Sequence, residues 1–206
     1  MGESIPRRRF VLASGNAGKL REVAGILRED EVIPLSTFAS VVLPEEGDDY
    51  VENARAKAIA VVAATGIASL ADDSGLEVDA LEGRPGVHSA RYGGPGLDDR
   101  GRLERLLREL EGRAEPWTAR FVCLAACCLP DGRTFTARGT CEGRIVPVPR
   151  GDGGFGYDPI FVPEGLDRTC AELGREEKDR ISHRGHAFRA LVDALAVDAG
   201  TRRGRR

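Results

Sequence analysis

The sequence reads as a mixture of strands and helices, in either one large domain or two lobes on a shared sheet. Three observations carry that expectation. Short apolar runs alternate with helical stripes between residues 9 and 81, and two long β-rich runs flank the turn Pro130-Asp131-Gly132. The chain's 206 residues, 41% hydrophobic and 31% charged, are enough for a sizeable core. No run approaches the roughly 18 apolar residues of a membrane span, and Arg7-Arg8-Arg9 leads into a strand without a cleavage signature. A cytoplasmic protein with no membrane partner is expected. The net charge of -3 argues against a stable nucleic-acid partner. The basic ends, about residues 1–8 and 199–206, read as disordered flanks of a single domain spanning residues 1–206. The five cysteines suit reduced core thiols better than a disulfide framework, being odd in number and mostly inside apolar runs.

The elements follow in order. Arg9 to Ala13 reads as a buried strand, and Gly18 to Glu29 as a helix, with Leu20, Val23, Ala24 and Leu27 as its apolar stripe. Between them, Ser14-Gly15-Asn16-Ala17-Gly18-Lys19 makes a strand-to-helix turn. Free amides and the helix dipole can hold phosphate there, and Lys19 adds a charge. It is not a P-loop, since Leu20 follows the lysine where that motif needs Ser or Thr; a simple capped turn remains open. Val32 to Leu35 is a second strand. The acidic loop Glu45-Glu46-Gly47-Asp48-Asp49 needs solvent or a cation, and Asp48 or Asp49 can cap the helix Tyr50 to Ala64. That helix places Asn53 and Lys57 on one side, and Gly66 ends it.

Next comes Ala71-Asp72-Asp73-Ser74-Gly75-Leu76, two carboxylates between apolar flanks. On a strand they point to opposite faces, and a buried carboxylate needs a cation or several donors. The segment is either a strand ending in a polar Ser-Gly turn or a hard-metal or general-base site. A glycine-dense loop follows over residues 83–96, then a helix begun by Asp98 or Asp99 with Leu103, Leu106, Leu107 and Leu110 inward. The hairpin strands Trp117 to Leu129 and Thr134 to Val148 are assigned to a second lobe. In Gly151 to Pro159, Phe155 and Tyr157 offer faces for a planar ring among glycines that allow close approach. Lys178 sits in a polar helix, and Ser182 caps the last helix. His183 and Arg184 fall on its first turn, where the dipole disfavours cations, which points to an anionic or carbonyl partner.

Two acidic patches, the lysines Lys19, Lys57 and Lys178, a phosphate-type turn and a glycine-aromatic loop are the equipment for a metal-bound nucleotide. Six segments resemble the inosine triphosphate pyrophosphatase family, in that family's order: Ser14 to Lys19, Glu52-Asn53-Ala54 with Lys57, Ala71 to Leu76, Pro85 to Tyr92, Phe155-Gly156-Tyr157-Asp158-Pro159, and Ser182-His183-Arg184-Gly185. The resemblance implies an elongated two-lobed fold on a long central mixed β-sheet flanked by helices, with the active-site cleft between the lobes, and a homodimer. It implies the α/β class, and Mg2+-dependent hydrolysis of deaminated purine nucleoside triphosphates (ITP, dITP, XTP) to the monophosphate and pyrophosphate.

By the same resemblance Asp73 is the general base, and Glu45 and Asp73 hold the metal. Glu46 competes for that role, and counting back from Gly47 selects Glu45. Ser14, Gly15, Asn16, Ala17, Gly18 and Lys19 wrap the phosphates, Lys57 and Lys178 neutralise the rest, and Ser74 adjoins the substrate. His183 and Arg184 donate to a C6 keto oxygen, Phe155 stacks on the ring with Gly156 and Tyr157 around it, and Asp158 accepts from a ring N–H. The rival readings are a pyrophosphatase for pyrimidine or modified nucleotides and a non-catalytic nucleotide-binding module.

Overall fold

The computed structural model describes residues 7–203. It is a mixed seven-stranded sheet with helices packed on it. The elements run β1 (Arg9–Leu12), α1 (Ala17–Ile26), β2 (Glu31–Pro34), α2 (Tyr50–Thr65), β3 (Ser69–Val78), β4 (Pro85–Gly86), α3 (Asp99–Leu110), β5 (Trp117–Cys128), β6 (Thr134–Ile145), β7 (Phe161–Pro163), α4 (Arg175–Ile181) and α5 (His183–Arg203). The strand order is β2-β1-β3-β5-β6-β7, with β4 on β3. β1 pairs in parallel with β2 and β3, as short βα units require, and all other pairs are antiparallel.

β3 and β5 are long enough to serve two cores. Leu70 joins Leu12, Val23, Phe188 and Leu191 on one face of the sheet. Ala71 joins Val11, Ala54, Ala58 and Val61 on the other. Further along the same strand, Leu76 and Val78 enter a separate core with Leu103, Leu106, Leu110, Trp117, Phe121 and Phe161. Asp72 to Gly75 spans the junction between the two cores. The hairpin is not confined to a second lobe as expected: Cys123, Ala125 and Cys127 pack in the first core and Trp117 and Phe121 in the other, because β5 and β6 run the length of both. The expected Ser-Gly turn is absent. β3 runs straight through, with Gly75 opposite Val122. Gly75 is there for a different reason: a Cβ would stand 2.0 Å from the Gly86 carbonyl oxygen and 2.4 Å from the Tyr50 hydroxyl. The glycine lets β4 and α2 close on the strand.

Other boundaries shift by a residue or a few. α1 ends at Ile26 rather than Glu29 and buries Gly18, Glu22 and Val23, while Ala24 of the expected stripe is exposed. α2 is capped by Asp49, whose carboxylate accepts from the Glu52 amide at 2.9 Å, and ends on left-handed Gly66. Asp98 caps α3. All five cysteines are buried and unbridged. α5 continues through Arg203, into the stretch expected to be a disordered tail, and Arg8 pairs with Asp30 at 2.7 Å. The remainder of the two expected disordered ends, residues 1–6 and 204–206, lies outside the described residues. Among the described residues no helix is long and apolar enough to cross a membrane.

Candidate active site

Side-chain alternation along β3 sends its two aspartates into different company. Asp72 faces α1 and α5 and is fully buried. Its Oδ2 accepts from Ser74 Oγ at 2.6 Å and from Arg184 Nε and Nη2 at 3.2 and 3.1 Å, and lies 3.0 Å from Lys19 Nζ. Burial pushes this carboxyl up, but Lys19, Arg184 and Lys57 together outweigh it and hold Asp72 far below the carboxylate range. Asp73 faces α2. Its Oδ2 accepts from Asn53 Nδ2 at 2.7 Å, and its Oδ1 lies 3.7 Å from Lys57 Nζ. Here burial prevails: Asp73 stays above its ordinary value despite Lys57 and Asn53, with Glu46 adding to the rise.

Lys57 is the hub on this side. Its ammonium donates to Glu46 Oε1 at 2.6 Å and to the Asp72 carbonyl at 2.8 Å. Asn53 and Lys57 share the buried face of α2 with Ala54 and Ala58, as their four-residue spacing predicts. The structure sets the two candidate metal ligands of the acidic loop in different places. Glu45 is exposed and Glu46 lines the cleft beside Asp73. Of the two, it is Glu46 that pairs with Lys57. Glu46 and Asp73 thus offer hard carboxylate oxygens to one point already occupied by a cation, a donor set that fits Mg2+ retaining several waters.

At the head of α1, the Asn16 carboxamide accepts from the amides of Gly18 and Lys19 at 2.8 and 3.1 Å, so two amides expected to be free for phosphate cap the helix instead. Ser14 Oγ accepts from the Asn16 amide at 3.2 Å, and Lys19 reaches across to Asp72.

The opposite wall is built by α4, α5 and the glycine-aromatic loop. Lys178, expected among the phosphates, lies instead with the aromatic loop, 2.5 Å from Asp158 Oδ2 and 2.6 Å from Glu22 Oε1. It packs under the Phe155 ring at 5.2 Å from the centroid, and the Arg184 guanidinium is 5.6 Å from the same ring. Asp158 also accepts from the Phe155 amide at 2.8 Å. Gly154, at φ +72°, has no room for a side chain, since a Cβ would fall 2.0 Å from Asp158 Oδ2. Gly156 donates to Asp99 Oδ2 at 2.9 Å, and the Tyr157 hydroxyl donates to the Ser89 carbonyl at 3.0 Å. His183 is buried and stacked on Phe121 at 4.8 Å. Burial, with Arg184 and Lys178 nearby, holds it well below the usual imidazole value, so it is neutral near pH 7.

Glu22 carries no motif that marks it as a site residue in the sequence. It bonds both Lys178 and Arg184 and so answers the two cations on the wall. The sequence signal is faint: a glutamate beside the apolar stripe of a helix with a lysine in its first turn. The anionic partner anticipated for Arg184 is supplied from within, by Glu22 and Asp72. One cleft gathers Asn16, Lys19, Glu46, Asp73, Ser74, Phe155, Gly156, Tyr157, Asp158, Lys178, His183 and Arg184.

A model of the family described as the Ham1 family matches residues 10–194. The chain is 45% identical to a dITP/XTP pyrophosphatase of Gluconobacter oxydans, over 100% of this chain and 99% of that protein. It is 47% identical to a dITP/XTP pyrophosphatase of Thermus thermophilus, over 90% and 91%. Among solved structures it resembles the Staphylococcus aureus Ham1 protein at TM-score 0.81 and 39% identity, covering 93% of this chain and 100% of that one. A Mycobacterium abscessus nucleoside-triphosphatase, dITP/XTP pyrophosphatase, matches at TM-score 0.70 and 43% identity, over 91% and 98%.

Proposed function

The chain belongs to the Ham1 family, the assignment its motifs led to, and on that premise we propose that its cleft hydrolyses deaminated purine nucleoside triphosphates to the monophosphate and pyrophosphate. The observation that carries the reading is the pairing of two unlike walls. One holds Glu46 and Asp73 around Lys57, and the other holds Phe155, Asp158, Lys178, His183 and Arg184. The first suits phosphoryl chemistry; the second suits a flat, hydrogen-bonding base.

Asp73 accepts a proton from water as the water oxygen bonds to the α-phosphorus. The bridging bond to the β-phosphate breaks, and pyrophosphate leaves with the electron pair. Positioned proton transfer contributes about 10² to 10⁴ in rate. Asn53 fixes the carboxylate by occupying Oδ2, which leaves Oδ1 toward Lys57. Lys19, Lys57 and the turn from Ser14 face the phosphates. Glu46 and Asp73 would hold Mg2+, which supplies charge neutralisation on phosphate oxygens when bound.

Base choice follows donor and acceptor logic. Lys178, His183 and Arg184 make a donor-rich wall suited to a C6 keto oxygen, and Asp158 accepts from a ring N–H. The amino group of adenine would meet donors with a donor, at roughly 1–3 kcal/mol or about 5- to 150-fold. By resemblance the enzyme acts as a cytoplasmic homodimer. The test is pyrophosphate release from ITP, XTP, GTP, ATP and dUTP with and without Mg2+. Release from ITP and XTP only with the metal is expected. Orthophosphate as product, a preference for dUTP, or nucleotide binding without hydrolysis would overturn the reading.

A further inference from the structure

We infer that Arg91 is a positioning residue that sets Glu46 against Asp73; the inference rests on the reading of that pair as the metal-holding carboxylates. Glu46 lies in residues 44–49, which form no helix or strand, so the loop's own backbone does not fix where its carboxylate points. Lys57 holds Glu46 Oε1 at 2.6 Å, and two further side chains, Asn53 and Arg91, hold the loop around it, both converging on Gly47. From α2, Asn53 Oδ1 accepts from the Gly47 amide at 2.7 Å, while Asn53 Nδ2 donates to the Gly47 carbonyl at 3.1 Å and to Asp73 Oδ2 at 2.7 Å. From the turn after β4, Arg91 Nη2 donates to the carbonyls of Glu46 and Gly47, both at 3.3 Å, and its Nη1 lies 3.6 Å from Glu46 Oε2. The same two loops meet again where His88 Nε2 lies 3.4 Å from Asp48 Oδ1. Asn53 therefore registers the loop to Asp73, and Arg91 fixes Glu46 within it. A planar guanidinium spreads its donors over separate nitrogens in a rigid fork and so spans two carbonyls and a carboxylate, whereas a lysine must reach all three from one nitrogen on a flexible stem.

Arg91 has a 45% exposed side chain, so its removal leaves no core cavity. Its two conceivable effects on a divalent ion have opposite signs. As a bare charge it repels the ion, and its removal would tighten binding. As the residue that orients a ligand, its removal loosens binding, by about tenfold or more for outer-shell partners of this kind.

The experiment measures Mn2+ affinity of the full chain by electron paramagnetic resonance without nucleotide, for wild type, Arg91→Ala and Arg91→Lys. Pyrophosphate release from ITP and ATP across a Mg2+ titration runs alongside. The expected result is Mn2+ affinity about tenfold or more weaker in Arg91→Ala and intermediate in Arg91→Lys, a matching rise in the Mg2+ needed for half-maximal rate, and an unchanged ITP/ATP ratio. Mn2+ affinity that is unchanged or tighter in Arg91→Ala overturns the role. If wild type releases no pyrophosphate, the proposed function fails while the Mn2+ affinities still decide Arg91. If wild type turns over and Arg91→Ala binds Mn2+ equally well, only Arg91's role falls.

Discussion

Asp72 and Asp73 share a strand, a side-chain type and nearly complete burial, yet their surroundings drive them in opposite directions. Asp72 stands among Lys19, Arg184 and Ser74, an ion network closed on itself through Glu22 and Lys178. Asp73 stands beside Glu46, with Lys57 shared between two carboxylates. Excess positive charge makes Asp72 a permanent anion and a structural brace. A shortage of it leaves Asp73 basic enough to take a proton and free enough to meet a cation. Charge balance decides whether burial prevails, and so sets the two carboxylates apart.

That contrast is most exposed to isosteric amides. Asp73→Asn removes the base, and pyrophosphate release from ITP is expected to fall about 10²- to 10⁴-fold, with nucleotide binding retained by isothermal titration; turnover near wild type would end the assignment. Asp72→Asn should act on the fold instead. Removing one partner of a buried ion network costs about 3–5 kcal/mol, or roughly 6–20 °C in Tm at this chain length, read by calorimetry. A Tm within a degree of wild type would show that the network is no brace.

Arg184 belongs to both the brace and the wall proposed to face the base. Arg184→Ala should narrow the ITP/ATP ratio of kcat/KM by about 5- to 150-fold. The ratio cancels any stability loss common to both substrates, so an unchanged ratio removes the specificity role.

The smallest effect sharpens the comparison through pH, measured in chelator. Asp72's folded value lies below its unfolded one, so its contribution is present above about pH 4 and is lost as pH falls toward the folded value. Asp73's folded value is raised, so the sign reverses: its contribution is present below about pH 4 and lost as pH rises through the folded value. Asp73→Asn should therefore raise Tm at neutral pH and lose that advantage on acidification, whereas the Tm deficit of Asp72→Asn should shrink. Parallel pH profiles for the two variants would contradict the assignment of opposite shifts.

The sequence showed some of this directly. Alternation placed Asp72 and Asp73 on opposite faces, four-residue spacing put Asn53 with Lys57, and the helices and the hairpin fell near their expected bounds, because each follows from local periodicity. What escaped it depended on which distant segment came to lie alongside. Gly75 looked like a turn residue until Gly86 and Tyr50 were packed against it. Lys178 looked like a phosphate ligand until Glu22 and Asp158 claimed it. Counting along the acidic loop chose Glu45, but Lys57 and Arg91 reach Glu46.

By itself, then, the sequence determined the elements, the family and the kinds of side chain gathered at the cleft, since those are written in short-range pattern and motif order. The tertiary structure alone decided which charge answers which. Electrostatic interaction depends on distance through space and on loss of water, and residues such as Glu22 and Arg184, or Glu46 and Arg91, are brought within reach only when the sheet and its helices close.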